Sequence, residues 1–218
     1  PLLVEHKGQY YESLSLAMVR NLLGNPVIIP GYPSNSPSSY AAMEWLELKG
    51  GSEAPLTIPV DENAATLIPY RGGQGSFRYI SITDVLNDKV PKELLAGRIA
   101  IVGTTAPGLM DLRATPVGAA YPGVEIHANL ISGMLDGAIK HKPPYILGAD
   151  VLLVLIAGGI MVFLLPMLSP FRATVVGSIV LLFLLSVNFS FWHLSNVVLP
   201  LASGGIAVVL LYAMNMSW

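Results

Sequence analysis

One break and two periodicities organise the pattern of polar and apolar positions. From Val151 to Trp218 the only charged side chain is Arg172, and apolar residues run almost without interruption. They resolve into three spans, 149–168, 173–192 and 197–214. Each has roughly the 18 to 20 residues that an α-helix needs to cross ~30 Å of hydrocarbon. A helix in a soluble core normally keeps one polar face, and these spans keep none. The connections 169–172 and 193–196 are very short, which predicts antiparallel neighbours packed as helical hairpins. Gly158–Gly159, Gly177–Ser178 and Ser203–Gly204–Gly205 allow close backbone approach. Pro166 and Pro200 are expected to kink or end helices. The acid Asp150 sits at the very start of the first span, and Ser186, Asn188 and Ser190 are the most polar features further on. A pore or proton carrier is expected to place ionisable groups inside its spans. The pattern favours an anchoring, signal-transmitting bundle.

Before the break the pattern changes to short alternating elements. Tyr10–Leu23 has Leu14, Leu16, Ala17, Met18 and Leu22 at helical spacing, with Gly24 as the stop. A short apolar run, Val27–Ile29, follows. The Pro/Ser-rich stretch Gly31–Ser39 reads as an exposed loop. Ala41–Leu48 reads as a short helix. Leu56–Val60 and Ala65–Tyr70 read as strands around a turn at Asp61–Asn63. Arg71–Ser76 is a glycine-rich loop, Phe77–Ile80 another strand, and Ser81–Asn87 a short helix capped by Ser81 or Thr83. Val90–Leu95 leads into Gly97. Arg98–Gly103, RIAIVG, is continuously apolar and reads as a central parallel strand buried on both faces. The loop Thr104–Asp111 follows. Tyr121–Gly123 opens a helix to about Leu135, with Pro122 in its first turn and a stripe of Val124, Ala128, Ile131 and Leu135. Gly137 ends it. Strands alternating with helices predict an α/β domain with a mixed or parallel sheet flanked by helices, over residues 1–145, followed by an all-α three-helix transmembrane bundle.

Composition narrows the function classes. The chain has no cysteine, so it has no disulfide framework and no thiolate metal site. Setting Arg172 aside, 11 basic residues face 14 acidic ones before the break, a formal charge of −3. No basic run is present, and nucleic acid is not an expected partner. Arg172 in the first connection, against only His193 in the second, places the first connection in the cytoplasm. The N-terminal domain is then extracytoplasmic and the C-terminus cytoplasmic. Lys140 and Lys142 count against this orientation, but a folded domain translocates largely regardless of charge. Pro1 is not a start methionine, and the chain reads as an internal piece whose output module follows Trp218.

Gly97–Gly137 (GRIAIVGTTAPGLMDLRATPVGAAYPGVEIHANLISGMLDG) resembles the CHASE2 sensor domain, in the pieces VGTTAPGLMD, RATP and YPGVEIHANLISGML. YYESLSL, IPVDENAATLIPYRGG and FRYISITDVLNDKVP support the resemblance, as does a run of three spans directly afterwards. It covers Pro1 to Gly137 as the C-terminal part of such a domain. It implies a bacterial receptor in the inner membrane, with an extracytoplasmic sensor for an unknown ligand or protein. The implied cytoplasmic output is most often a class III adenylate or guanylate cyclase, with a histidine or Ser/Thr kinase as the alternative. Cyclase sites commonly form between two chains, so a homodimer is expected. A non-enzymatic scaffold that binds a partner protein through Gly31–Ser39, Tyr32 and Tyr40 is the competing reading. A hydrolase ranks below both, since no nucleophile–base constellation is visible. Some strands are expected to need partners from preceding residues, leaving the sheet incomplete.

Six residues stand out as ligand-binding or loop-organising candidates. Asp111 and Arg113 follow a strand–loop, where open α/β sheets bind ligands, and an arginine there can hold an anion bidentately. The simpler reading has them cap the loop and each other. Thr115 belongs to the same RATP piece, and Thr104 and Thr105 offer hydroxyls, with loop-capping the simpler role. Glu125 and Asn129, four apart, share a helix face, and His127 points elsewhere. His127 is expected to hold the Asp111 loop. Arg71–Gly75 could cradle an anion with backbone amides, although it lacks P-loop spacing and lysine, and a simple turn is preferred. No catalytic residue, metal site or cofactor is expected. Pro143 and Pro144 make a stiff joint from His141 into the first span.

Overall fold

The computed structural model describes residues 1–33, 42–50, 55–104, 111–200 and 202–216. The chain divides into two compact units. The first comprises Pro1–Ile29, Glu47–Ile58 and Thr66–Ile139; the second comprises Pro30–Leu46, Pro59–Ala65 and Lys140–Trp218.

The first unit opens with an antiparallel hairpin, β1 (Leu3–His6) and β2 (Gln9–Glu12), in the register Leu3↔Glu12 to His6↔Gln9. Its two-residue turn, Lys7–Gly8, has positive φ at both positions, the twist that a tight hairpin requires. Helix α1 (Leu14–Leu22) follows, and the Ser13 hydroxyl accepts the Leu16 N–H at 3.3 Å as its cap. The expected helix thus loses its first turn to β2. Helix α2 (Ile82–Leu86) has Ser81 at its cap position, and a 3-10 turn spans Lys92–Leu94. A second antiparallel hairpin, β6 (Leu112–Thr115) and β7 (Gly118–Pro122), leads directly into α3 (Gly123–Leu135). Pro122 is the residue before α3, not part of its first turn. Helices α1 and α3 pack together, with Leu16, Val19, Leu130, Ile131 and Met134 all buried. The expected apolar stripe is only partly the buried one: Ile131 is buried but Leu135 is 40% exposed, and Glu125 and Asn129 occupy the buried face.

In chain order between α1 and α2, β3 (Val27–Gly31), β4 (Trp45–Lys49) and β5 (Leu56–Pro59) form a three-stranded sheet in the order β3-β4-β5. The expected helix Ala41–Leu48 is therefore strand from Trp45 onward, and residues 42–44 are irregular. Leu46 and Leu48 are buried while Trp45 and Glu47 are less so, a period of two that the short window concealed.

The first part of the chain is thus a mixture of small sheets and helices. Arg98–Gly103 is not the expected central strand. It forms no ladder, and Ile99 and Val102 are 42% and 82% exposed. A doubly buried strand needs neighbours on both sides, and none pairs with it among the described residues. Ala65–Tyr70 and Phe77–Ile80 are also not strands: Ala65 exchanges hydrogen bonds with Asp61, the Tyr70 N–H turns back to the Ile68 carbonyl, and the Phe77 N–H donates to Glu125 of α3. The expected loops at Gly31–Ser39 and Thr104–Asp111, with Tyr40, Ala41 and Thr105, fall largely outside the described residues.

The second unit contains α4 (Ile146–Leu164), α5 (Pro170–Leu194) and α6 (Ala202–Met216). A 3-10 turn at Leu165–Met167 holds Pro166 and ends α4. Two stretches, Ile146–Met167 and Pro170–Leu194, are long and apolar enough to cross a membrane. Helix α6 is apolar but shorter, 15 residues, because the chain from Val197 to Pro200 is not helical. Proline has no N–H for a helical bond and biases the preceding residue to extended backbone. Helix α6 packs against both α4 and α5. Ala157, Met161, Leu165, Ala173, Leu184 and Val208 form their shared core.

The expected spans shift at their edges. Helix α4 begins at Ile146, so Asp150 lies a full turn inside it and accepts a hydrogen bond from the Ser203 hydroxyl of α6. Asn188 donates to the Leu199 carbonyl at 2.8 Å, crossing from α5 to the chain before α6. Ser186 and Ser190 instead bond carbonyls four residues back in their own helix. Thr174 and Tyr212 share a 2.7 Å hydrogen bond between α5 and α6.

Candidate functional site

Helix α3 gathers most of the candidate side chains. Glu125 is only 2% exposed, and its carboxylate accepts from the Gly75 N–H (3.1 Å), the Phe77 N–H (3.2 Å) and the Tyr79 hydroxyl (2.6 Å). Asn129, fully buried, sits one turn on. Its Oδ1 accepts the Arg71 N–H at 2.9 Å, and its Nδ2 donates to the Tyr121 hydroxyl (2.9 Å) and to the Glu125 carbonyl (2.8 Å). The i,i+4 pair therefore acts together, as its spacing implies. The glycine-rich loop does cradle an anion with its amides, and the anion is the chain's own Glu125.

The electrostatics follow from this geometry. Burial by itself pushes the Glu125 carboxyl up, but hydrogen bonds from Tyr79, Gly75, Phe77 and Ser76 outweigh it and hold its pKa below the ordinary value. Tyr79 moves the other way, raised first by burial and then by its bond to Glu125 and that residue's charge. Burial likewise raises Tyr70 and Tyr121, whose rings meet edge to face at 5.5 Å. The Arg71 guanidinium pairs with Asp136 and lies 5.6 Å from the Phe77 ring centroid, closing the same loop from outside.

The other candidates separate. The hydrogen bond that His127 makes among the described residues is to α1: its Nδ1 lies 2.8 Å from the hydroxyl of buried Ser15 and ties α3 to α1, while most of the loop before Asp111 lies outside the described residues. On an ideal helix it projects about 160° from Glu125's direction around the axis, two residues at ~100° each. Asp111 accepts the Gly123 N–H through its own carbonyl at 2.8 Å, and its carboxylate lies where a Cβ on Gly123 would stand. Only glycine lets α3 begin that close. Arg113 is exposed on β6, and among the described residues no ion pair or hydrogen bond joins it to Asp111. Thr115 bonds the Gly118 carbonyl at 3.0 Å within the β6–β7 turn. Thr104 is exposed. Among the described residues no group of three or more His, Cys, Asp or Glu side chains stands together to hold a metal.

A second constellation surrounds the joint before α4. The His141 N–H donates to the Asn196 carbonyl at 2.7 Å, and the Val198 N–H donates to the His141 carbonyl at 2.9 Å, a parallel bridge. The Lys140 ammonium donates to the Trp192 carbonyl (2.8 Å) and to Asn196 Oδ1 (2.7 Å), and stands 4.9 Å from the Trp192 ring centroid. The joint is thus fastened to the connection between α5 and α6 as well as being continuous with α4. The sequence suggests a stiff joint at Pro143–Pro144 but does not reveal this attachment. A lysine opposite an interfacial tryptophan was the available signal.

Residues 1–165 match the CHASE2 domain. The chain belongs to the CHASE2 domain family. The match runs past the α3 region through all of α4. CHASE2 is a sensor domain of signalling receptors and an extracellular type of domain, and the two long apolar helices are compatible with membrane insertion. No curated protein and no solved structure matches the chain.

Proposed function

We propose that this CHASE2 chain is the extracytoplasmic sensing module of a receptor in the inner membrane of a bacterium. In this reading α4, α5 and α6 all cross the membrane, with the residues before α6 completing the third span. The domain before α4 lies outside and the C-terminus lies in the cytoplasm. The receptor works as a homodimer and regulates a cytoplasmic class III adenylate or guanylate cyclase.

The observation that carries the reading is the continuity of the family match from the α3 region through α4. A sensor domain and an apolar helix of membrane-crossing length belong to one unit of sequence, with Pro143–Pro144 between them. The attachment of the joint to Asn196 and Val198 supports it further. A displacement of the joint reaches α4 through the chain, and α5 and α6 through three short hydrogen bonds. Glu125, Asn129, His127 and Thr115 organise the domain. Arg113, exposed beside Asp111 on the β6 hairpin, is the side chain offered to an external anionic ligand.

Sequencing the C-terminal peptide of the native protein tests the output. A cyclase with paired metal-binding aspartates supports the reading. A kinase keeps the receptor and changes its reaction, and an end near Trp218 removes the enzyme from this polypeptide.

A further inference from the structure

His141 has one feature that its backbone role does not explain. Its ring Nε2 is buried and has no hydrogen-bond partner among the described residues, while the Glu44 carboxylate stands 4.0 Å away. A buried polar atom without a partner is costly, and here the missing partner is one short movement distant. The Glu44 backbone is tied at both its polar groups. Its N–H donates to the Gly31 carbonyl at 3.0 Å, and its carbonyl accepts the Val60 N–H at 2.9 Å. The His141 backbone is bonded through both its N–H and its carbonyl to the α5–α6 connection, so a movement of the ring toward Glu44 bears on that connection.

We propose that His141 is a proton-binding switch: when protonated, its ring closes on Glu44 and draws the Asn196–Val198 connection with it. The other charged groups nearby are committed elsewhere or lie open to water. Lys140 is held by Trp192 and Asn196, Lys142 is exposed, His193 packs on Phe189 at 4.3 Å, and the Asp61 carboxylate accepts the N–H groups of Asn63 and Ala65. Glu44 is therefore the group that meets the new charge. Burial depresses the His141 pKa below the ordinary imidazole value, and Glu44 opposes that shift. The neutral ring is thus the resting form near neutral pH, and acidification populates the closed form. The proposal rests on the receptor reading for its purpose but not for its chemistry.

The test uses the full chain in lipid nanodiscs, with neither ligand nor output enzyme. Nitrogen-15 NMR of the histidine rings follows the His141 titration, assigned with His141→Asn. Hydrogen exchange reads the His141 and Val198 amides across the same pH range. The expected result is a midpoint below the ordinary value that moves roughly one pH unit lower in Glu44→Gln. Exchange at both amides should change about threefold or more across the midpoint in the native chain but not in His141→Asn. A midpoint indifferent to Glu44→Gln, or exchange that is flat through the titration, overturns the switch. Either outcome leaves the receptor reading to its own test.

Discussion

The Lys140 ammonium donates to the backbone carbonyl of Trp192, 52 residues further along the chain, at 2.8 Å. With the same group on Asn196 Oδ1, it clamps the start of the joint to the end of α5. Lys140→Met keeps the apolar stem and removes the charge. Partly exposed charged hydrogen bonds of this kind contribute about 1 kcal/mol. Amide exchange at His141 and Val198 is expected to accelerate roughly fivefold in this variant, with the amides of α3 unchanged. Unchanged protection at Val198 would show that the clamp carries no load.

The Glu125 constellation gives a graded series. Tyr79→Phe removes one donor and is expected to cost about 1–2 kcal/mol. Glu125→Ala strands the Gly75 and Phe77 N–H groups and the Tyr79 hydroxyl, and is expected to cost about 3 kcal/mol or more. Urea midpoints of the chain, reconstituted and followed by near-UV circular dichroism, measure both. If Glu125→Ala proved as mild as Tyr79→Phe, the loop amides would not depend on the carboxylate.

The same carboxylate sets a pH dependence. Its folded pKa lies below its unfolded value, so its stabilising contribution is complete above the ordinary carboxylate pKa. That contribution disappears as pH falls through the folded value. Tyr79 has the opposite sign: its raised pKa stabilises below the ordinary tyrosine value and is lost as pH rises through the folded one. Stability measured from neutral to acid pH should therefore fall less steeply in Glu125→Gln than in the native chain. Parallel curves would remove Glu125 from the acid limb.

Two glycines separate forced contact from ordinary contact. A Cβ at Gly133 would overlap the Pro69 ring, so Gly133→Ala is expected to destabilise by about 1–3 kcal/mol. At Gly177 a Cβ would meet Met161 Cε and the Tyr212 ring at 3.6 Å, an ordinary distance. Gly177→Ala gains helix propensity and is expected to be neutral or stabilising by up to about 1 kcal/mol. Thermal unfolding of the two variants side by side checks the contrast.

Legibility in the sequence followed the range of the interactions. Helix α3, the turn at Asp61–Asn63 and the two long apolar helices rest on local pattern and punctuation, and all were readable. The pairing of Glu125 with Asn129 came from helical spacing alone. What those residues grip was not readable, because Gly75, Phe77 and Tyr79 lie about 50 positions away and offer mostly backbone groups. The strand readings of Ala65–Tyr70 and Phe77–Ile80 failed because apolar content does not say what will satisfy the backbone: local turn bonds to Asp61 and Ile68 in the first, the Glu125 side chain in the second. Arg98–Gly103 has the composition of a buried strand but no ladder among the described residues. At β4, five residues of alternating burial were too few to distinguish from a helix turn. The break before α6 was marked by Pro200, but the shortening of the helix behind it was not.

Topology tests the central claim most directly. The chain contains no cysteine, so single replacements label without background. Gln74→Cys lies in the exposed loop of the domain, and Phe171→Cys, 78% exposed, lies at the start of α5. In intact cells a membrane-impermeant maleimide should label position 74 at once and position 171 only after permeabilisation. Labelling of 171 but not 74 in intact cells would place the domain in the cytoplasm and contradict the account of an external sensor.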